Sequence, residues 1–195
     1  MGVGHKLKTG LATWLRPVLP ASAWVGRVIW EKEVDDVGRA IADRRFDRVD
    51  GMLRNLENDL PALSPDPQSR VPMLNRLGEM YQDLSGDYNG AERIFREAIE
   101  LGESSSAPFT AVALPMNNLG LLLTNQRRYQ EAEPLVARLA QLTQDHLGDD
   151  DPEFASCLEN LAAIYRQTGR NSEAAEMRAR ALQIRRSSRA RSPSS

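Results

Sequence analysis

The residues that could do acid–base or metal chemistry are few and scattered along the chain. His5 lies in a segment interrupted by glycines, and His146 lies near the end of a predicted helix, so neither has a ligand partner at metal spacing. The acidic run at residues 149–151 lacks the ligand alternation and terminal glutamate of a calcium loop. The carboxylates within residues 31–36 fit a solvated helix face. With no glycine-rich phosphate loop or nucleophile elbow, the sequence predicts no catalytic residue, no metal, no cofactor and no enzyme.

Composition predicts a soluble, cytoplasmic protein. Hydrophobic residues make up 41% and charged residues 27% of the 195 residues, and no apolar run reaches the roughly 18 residues of a membrane-spanning helix. The single cysteine, Cys157, excludes an internal disulfide framework and is expected in the core. Residues 1–30 and 185–195 each carry four basic residues and no acid, so the net charge of −2 conceals −10 in the body between them.

The elements that position the remaining polar residues are helical hairpins. Residues 116–136 contain leucines at helical spacing, a polar break, and a second apolar pattern that opens at Tyr129. A large residue followed by a small one recurs every 42 residues, at Leu77 and Gly78, Leu119 and Gly120, and Leu161 and Ala162. The small residue is expected where two helices cross closely. A weaker copy precedes these three, and the corresponding starts of the second helices are Phe46, Tyr88, Tyr129 and Asn171.

These residues resemble a tetratricopeptide repeat (TPR), in the 42-residue variant of kinesin light chains. The join from Leu147 and Gly148 to Pro152 is similar to the linkers of that variant. The resemblance implies an all-α, right-handed α-solenoid of about four antiparallel helical hairpins. The expected repeats are approximately residues 31–60, 68–101, 110–147 and 152–184.

The flanking segments are expected to differ from the repeats. Residues 1–30 form a basic, tryptophan-containing segment, partly helical, that caps the first repeat, and the apolar stripe continuing from it to Ile41 fits one long helix or two. Residues 185–195 are rich in arginine and serine and are expected to be disordered. Pro72 and Pro115 are expected in the opening turns of first helices.

The resemblance also implies a binding site, because first helices of such repeats line a concave groove. The groove candidates are Asn75, Arg76, Glu79, Gln82, Asn117, Asn118, Leu121, Asn125, Glu159, Asn160, Arg166 and Gln167. Asn118 and Asn160 occupy equivalent positions, and an amide ladder suits the backbone of an extended peptide. Arg76 stands at the same position one repeat earlier and would favour an acidic ligand group. In the alternative, these amides only bridge neighbouring first helices.

The predicted function is that of a non-catalytic module that binds a peptide or partner protein in the concave groove. One alternative is a structural scaffold that self-associates through exposed solenoid ends, where the last helix offers Leu182 and Ile184. Another is an adaptor to nucleic acid or an anionic membrane through the basic termini. The acidic body argues against that adaptor, because it repels phosphate.

Overall fold

Eight α-helices make up nearly all of residues 21–191, the part of the chain that the computed structural model describes, and no strand occurs among them. They pair as four antiparallel hairpins in a right-handed α-solenoid, as predicted. We call α1, α3, α5 and α7 the first helices and the others the second helices. The elements are α1 (Ala21–Ala42), α2 (Phe46–Leu63), α3 (Pro67–Met80, continued by a π-helical turn Tyr81–Ser85), α4 (Tyr88–Ser104), α5 (Phe109–Asn125), α6 (Tyr129–Leu147), α7 (Pro152–Gln167) and α8 (Asn171–Arg191).

The turn inside each hairpin has the same backbone conformation. Arg44, Gly86, Arg127 and Gly169 have φ of 58°, 71°, 61° and 81°, and each lies two residues before a second helix. Glycine adopts this left-handed region without strain, whereas arginine does so at a cost of about 1 kcal/mol. The second helices then begin at Phe46, Tyr88, Tyr129 and Asn171, which confirms the repeat alignment.

Aspartates cap three of the helices. Asp66 accepts a hydrogen bond from the Ser69 N–H at 2.9 Å, Asp87 accepts one from Gly90, and Asp151 accepts one from Glu153 at 2.8 Å. Each carboxylate satisfies a backbone donor that has no partner inside its helix. The acidic run at residues 149–151 therefore includes an N-cap, as expected.

The core is continuous along the solenoid and is tightest where the helices of one hairpin cross. A Cβ atom added to Gly78 would lie 2.5 Å from Cε1 of Phe95, and one added to Gly120 would lie 2.7 Å from Cγ2 of Val136. Both partner side chains are buried. The small residue after the leucine is thus required by close helix approach, and Cys157 is buried in the same core.

Two prolines lie farther inside their helices than the sequence suggested. Because α3 starts at Pro67 and α5 at Phe109, Pro72 and Pro115 lie inside the helices rather than in their first turns. Helical geometry there buries Val71 and Val112, and this burial offsets the backbone hydrogen bond that each proline lacks.

The apolar stripe at the first end forms one helix, α1, which is one of the two arrangements that the sequence allowed, while residues 1–20 lie outside the described part. The expected disordered tail from residue 185 is instead helical as far as Arg191. Burial of Ile184 and an ion pair from Arg185 to Glu159 at 2.8 Å hold this end of α8 against α7. Leu182 and Ile184 were both expected at the exposed end of the solenoid. Ile184 is instead a core residue, and only Leu182 is exposed.

Within residues 21–191, none of the helices combines the length and apolar character needed to cross a membrane.

The close crossing at Gly78 makes a testable prediction. Replacing Gly78 with Leu should lower the free energy of unfolding by about 1–3 kcal/mol, because the new side chain overlaps the ring of Phe95. The control is Gly38→Leu in α1, where an added Cβ meets nothing within 4 Å and better helix propensity should raise stability by up to about 1 kcal/mol. Urea unfolding followed by circular dichroism measures both. Similar changes in the two variants would contradict the packing role of Gly78.

Candidate functional site

The polar candidates on α3 and α5 form one hydrogen-bonded cluster. Asn75 is buried and donates to Oε1 of Glu79 at 3.0 Å. Asn118 reaches across from α5 and donates to Oδ1 of Asn75 at 2.9 Å and to Oε1 of Glu79 at 3.2 Å. Arg76 donates to Oε2 of Glu79 at 3.0 Å. Since this ion pair neutralises Arg76, the expected attraction of an acidic ligand group at Arg76 loses its basis.

A second bridge connects α5 with α7. Asn160 donates to Oδ1 of Asn117 at 3.3 Å, which repeats the contact from Asn118 to Asn75 one hairpin later. The amide donors of both ladder asparagines therefore contact the preceding first helix, as the bridging alternative expects. Their side-chain carbonyl oxygens accept no hydrogen bond within the described residues and remain open to a ligand.

Glu159 of α7 stands at the repeat position that Asn75 occupies in α3 and Asn117 in α5. Its hydrogen-bond donor comes from α8 and not from a following first helix. Arg185 donates to both carboxylate oxygens of Glu159 at 2.8 Å and to Oγ of Ser156 at 3.2 Å. This charged hydrogen bond from Arg185 lowers the pKa of Glu159. The sequence pattern did not reveal the roles of Arg185 and Ser156, because it does not show which residues of α7 lie opposite Arg185.

Two leucines on α5 are exposed amid these polar groups. Leu121, a predicted groove residue, is 42% exposed, and Leu114 is 57% exposed two helical turns earlier on the same face. The sequence pattern did not indicate Leu114, because Pro115 was expected in the opening turn of the helix. Helical spacing from Leu121 would have identified it once the helix was known to begin at Phe109.

The remaining candidates lie at the carboxyl ends of the first helices or beside α8. Gln82 donates to Asp83 at 3.3 Å, and Asn125 and Gln167 are exposed. Arg166 does not join the amide clusters. It lines a cleft of about 540 Å³ between α7 and α8, whose other lining residues are Glu159, Ala162, Ala163, Ala175, Arg178, Ala179 and Leu182.

Second helices are joined by a separate ladder of ion pairs. Arg128, just before α6, donates hydrogen bonds to Glu92 of α4 and to Glu131 of α6. Arg170, just before α8, donates hydrogen bonds to Glu133 of α6 and to Glu173 of α8 in the same way. The guanidinium of Arg128 lowers the pKa of Glu92. This network links hairpins, and its side chains already have partners.

Two family models match the chain, and both are described as tetratricopeptide repeat. One matches residues 73–105 and the other residues 111–187, so together they span more than half of the sequence. No curated protein is significantly similar to the chain.

Solved structures share the fold at low sequence identity. One of them is a Podosopora anserina chain assigned as a kinesin light chain, whose own TPR-like repeats are nearly identical to one another. Its sequence is 15% identical to this chain, the TM-score is 0.67, and the alignment covers 82% of this chain and 76% of the other. A point variant of that repeat protein has a TM-score of 0.65 at 15% identity, over 84% and 77% of the two chains. The MamA RS-1 ArsTM double mutant has a TM-score of 0.53 at 16% identity, over 86% and 77%.

The amide bridges predict unequal effects of two asparagine substitutions on the same helix. Asn118→Ala should lower the free energy of unfolding by about 1–3 kcal/mol, because it leaves the buried Asn75 carbonyl without its donor. Asn125→Ala at the exposed end of α5 should change it by less than about 0.5 kcal/mol. Thermal unfolding of the two variants tests this difference. Equal stability would show that the bridge from Asn118 contributes nothing to the fold.

Proposed function

Because this chain belongs to the tetratricopeptide-repeat family and shares the fold of kinesin light chain repeats, we propose that it binds an extended segment of a partner protein on the concave face formed by α3, α5 and α7. Tetratricopeptide repeats are generally protein-binding scaffolds and are typically non-catalytic. Binding is noncovalent and involves no reaction step. The observation that carries the proposal is the exposed pair Leu114 and Leu121 on the middle first helix.

The spacing of the two leucines suits an extended ligand. Seven residues of helix separate them by about 10.5 Å along the axis. In a segment with the extended polyproline II conformation, which has three residues per turn, side chains three residues apart lie on the same side and are separated by about 9 Å. Two apolar side chains of one segment can therefore cover both leucines when the segment runs along α5. Exposed apolar surface surrounded by polar groups is typical of protein-interaction sites.

The groups around the leucines supply hydrogen bonds but little net charge. The side-chain carbonyl oxygens of Asn118 and Asn160 are acceptors for backbone N–H groups of the segment, while Asn125 offers both a donor and an acceptor. Glu79 already neutralises Arg76. The part of the ligand that contacts α5 is therefore expected to be apolar and uncharged, with its backbone satisfied by amides.

The predicted amide ladder would use both the donors and the acceptors of its asparagines on the ligand. In the structure the amide donors hold the side chains in place, and only the carbonyl oxygens are available to the ligand. Asn118 and Asn160 are held by Asn75, Glu79 and Asn117, so their carbonyl oxygens are positioned before a ligand arrives. A preorganised site loses less conformational entropy on binding. In this arrangement the bridging and ligand-binding roles of the asparagines are compatible.

Leu121 and Leu147 provide a matched test of this site. They are 42% and 43% exposed, but Leu147 ends α6, a second helix, and is not one of the groove candidates. A segment selected from a phage-displayed random-peptide library by the wild-type chain should bind Leu121→Ser at least about tenfold more weakly, because burial of a leucine contributes about 1.5–3 kcal/mol. Leu147→Ser should bind as the wild type does.

Calorimetry with the selected peptide measures both affinities, and circular dichroism checks that the variants fold equally. A selected peptide that ignores Leu121→Ser and also Leu114→Ser would place binding elsewhere on the solenoid and reject the proposal.

A further inference from the structure

We propose that the cleft between α7 and α8 binds an acidic amphipathic helix of a partner protein. The apolar side of the partner helix packs on the floor of the cleft, and its carboxylates face Arg166 and Arg178. The contact uses neither Leu114 nor Leu121, so it is independent of ligand binding on the concave face.

The floor of the cleft is shaped for a helix. Four of the lining residues are alanines, two on each helix: Ala162 and Ala163 on α7, and Ala175 and Ala179 on α8. Side chains this small let a third helix approach both α7 and α8 closely. The lining extends over about two turns of each helix, or about 10 Å. A contact of this length is small, so weak binding is expected.

In the inner hairpins the equivalent positions are contacted by the following hairpin. Asn117 and Glu133 stand one repeat before Glu159 and Ala175, which line the cleft. The next hairpin binds both side chains, with an amide of α7 at 3.3 Å from Asn117 and the guanidinium of Arg170 at 2.6 Å from Glu133. The cleft is therefore the place where the fold packs a further helix.

Leu182 shows that this position is open in the last hairpin. Its equivalents are Ile99 of α4 and Ala140 of α6, and a following first helix packs against each of these helices. Ile99 and Ala140 are 8% and 5% exposed, whereas Leu182 is 49% exposed. A helix in the cleft would bury Leu182, and this burial favours binding.

The charge of the cleft is reversed relative to the inner junctions. There, Glu92 and Glu133 of the earlier hairpin receive an arginine from the next one. In the last hairpin Ala175 stands at that position. The cleft is lined instead by Arg166 and Arg178, and neither forms an ion pair within residues 21–191. A helix that fits here must carry acids where the inner hairpins carry arginine.

One acid, Glu159, lies among the lining residues, and it is already neutralised. Arg185 donates to both of its carboxylate oxygens at 2.8 Å. These hydrogen bonds, and at longer range the charge of Arg178, lower the pKa of Glu159. The other acids of α7 and α8 do not line the cleft; they are Glu153, Glu173 and Glu176. Three arginines thus face one carboxylate, and the cleft keeps a positive charge.

A second copy of this chain suits the cleft less well than an acidic partner of another sequence. The first helix that a second copy offers is α1, and its exposed residues include both acids and bases: Glu31, Lys32, Asp35 and Arg39. Attraction at some of these positions is offset by repulsion at others. A helix with acids alone beside its apolar stripe avoids this repulsion.

Helices selected on the full-length chain test the chemistry of the partner. The probe is a phage-displayed library of helices of about 18 residues, with alanine or leucine fixed at i, i+3, i+4 and i+7 and the other positions randomised. Selected helices that bind Leu121→Ser as tightly as the wild type are kept, which removes ligands of the concave face. They should be enriched in Asp and Glu, and added salt should weaken their binding.

Variants of the cleft locate the binding. Arg178→Glu should weaken binding of a selected helix at least about tenfold in calorimetry, because it places like charges opposite one another. Leu182→Ser should weaken it about fivefold, because less apolar surface is buried. The control is Arg48→Glu in α2, which changes the net charge by the same amount and should leave binding unchanged. All three positions are exposed, so circular dichroism should show unchanged helicity.

Exchange of the charges gives a result that a structural role of the arginines would not produce. A selected helix whose acids are replaced by lysine should bind the double variant Arg166→Glu, Arg178→Glu more tightly than it binds the wild type, because the introduced acids and lysines attract.

The proposal is overturned if the selection yields no such helix, or helices without acids. Binding that both Arg178→Glu and Leu182→Ser leave unchanged would also overturn it. So would a mass of the chain alone that rises with concentration in sedimentation equilibrium and returns to that of the monomer in Leu182→Ser, since the cleft would then bind a second copy.

Discussion

The structure depends on the close approach of the two helices within each hairpin. At this crossing a helix backbone meets a bulky side chain of its partner, at Gly78 against Phe95 and at Gly120 against Val136. Interiors pack as densely as organic crystals, so the crossing residue has no room for a larger side chain. The close crossing brings the apolar faces of both helices into one continuous core. It also leaves the opposite face of each first helix available for other contacts.

Hairpins are joined to one another mainly by apolar packing, with polar links added on two sides. Asparagine bridges connect the first helices, and arginine–glutamate pairs connect the second helices. The first hairpin is tied in by another polar cluster, in which Glu57 of α2 accepts hydrogen bonds from Tyr81 and Arg93. Because these links recur from hairpin to hairpin, they define the register of the stack. The exposed Leu114 and Leu121 lie outside these links, which is why they are available for a ligand.

The middle and the ends of the solenoid consequently have different chemistry. Inner positions have partners on a neighbouring hairpin. At the last hairpin two of these positions are occupied by Glu159 and Ala175, and Glu159 is bound by Arg185 from its own hairpin. A concave face with uncharged amides and leucines suits a peptide backbone and apolar side chains.

The sequence by itself determined the hairpins, their 42-residue period, the small residues at the crossings and the starting residues of the second helices. These features follow from local side-chain periodicity and turn chemistry, which act within a few residues of the chain. The tertiary structure decided which polar groups meet. Sequence alone did not show that Glu79 forms an ion pair with Arg76, or that Arg185 of α8 binds Glu159. It also did not show that Asn118 and Asn160 donate hydrogen bonds to earlier first helices. A hydrogen bond requires two atoms on different hairpins to come within about 3 Å, and repeat spacing does not specify side-chain positions to that accuracy.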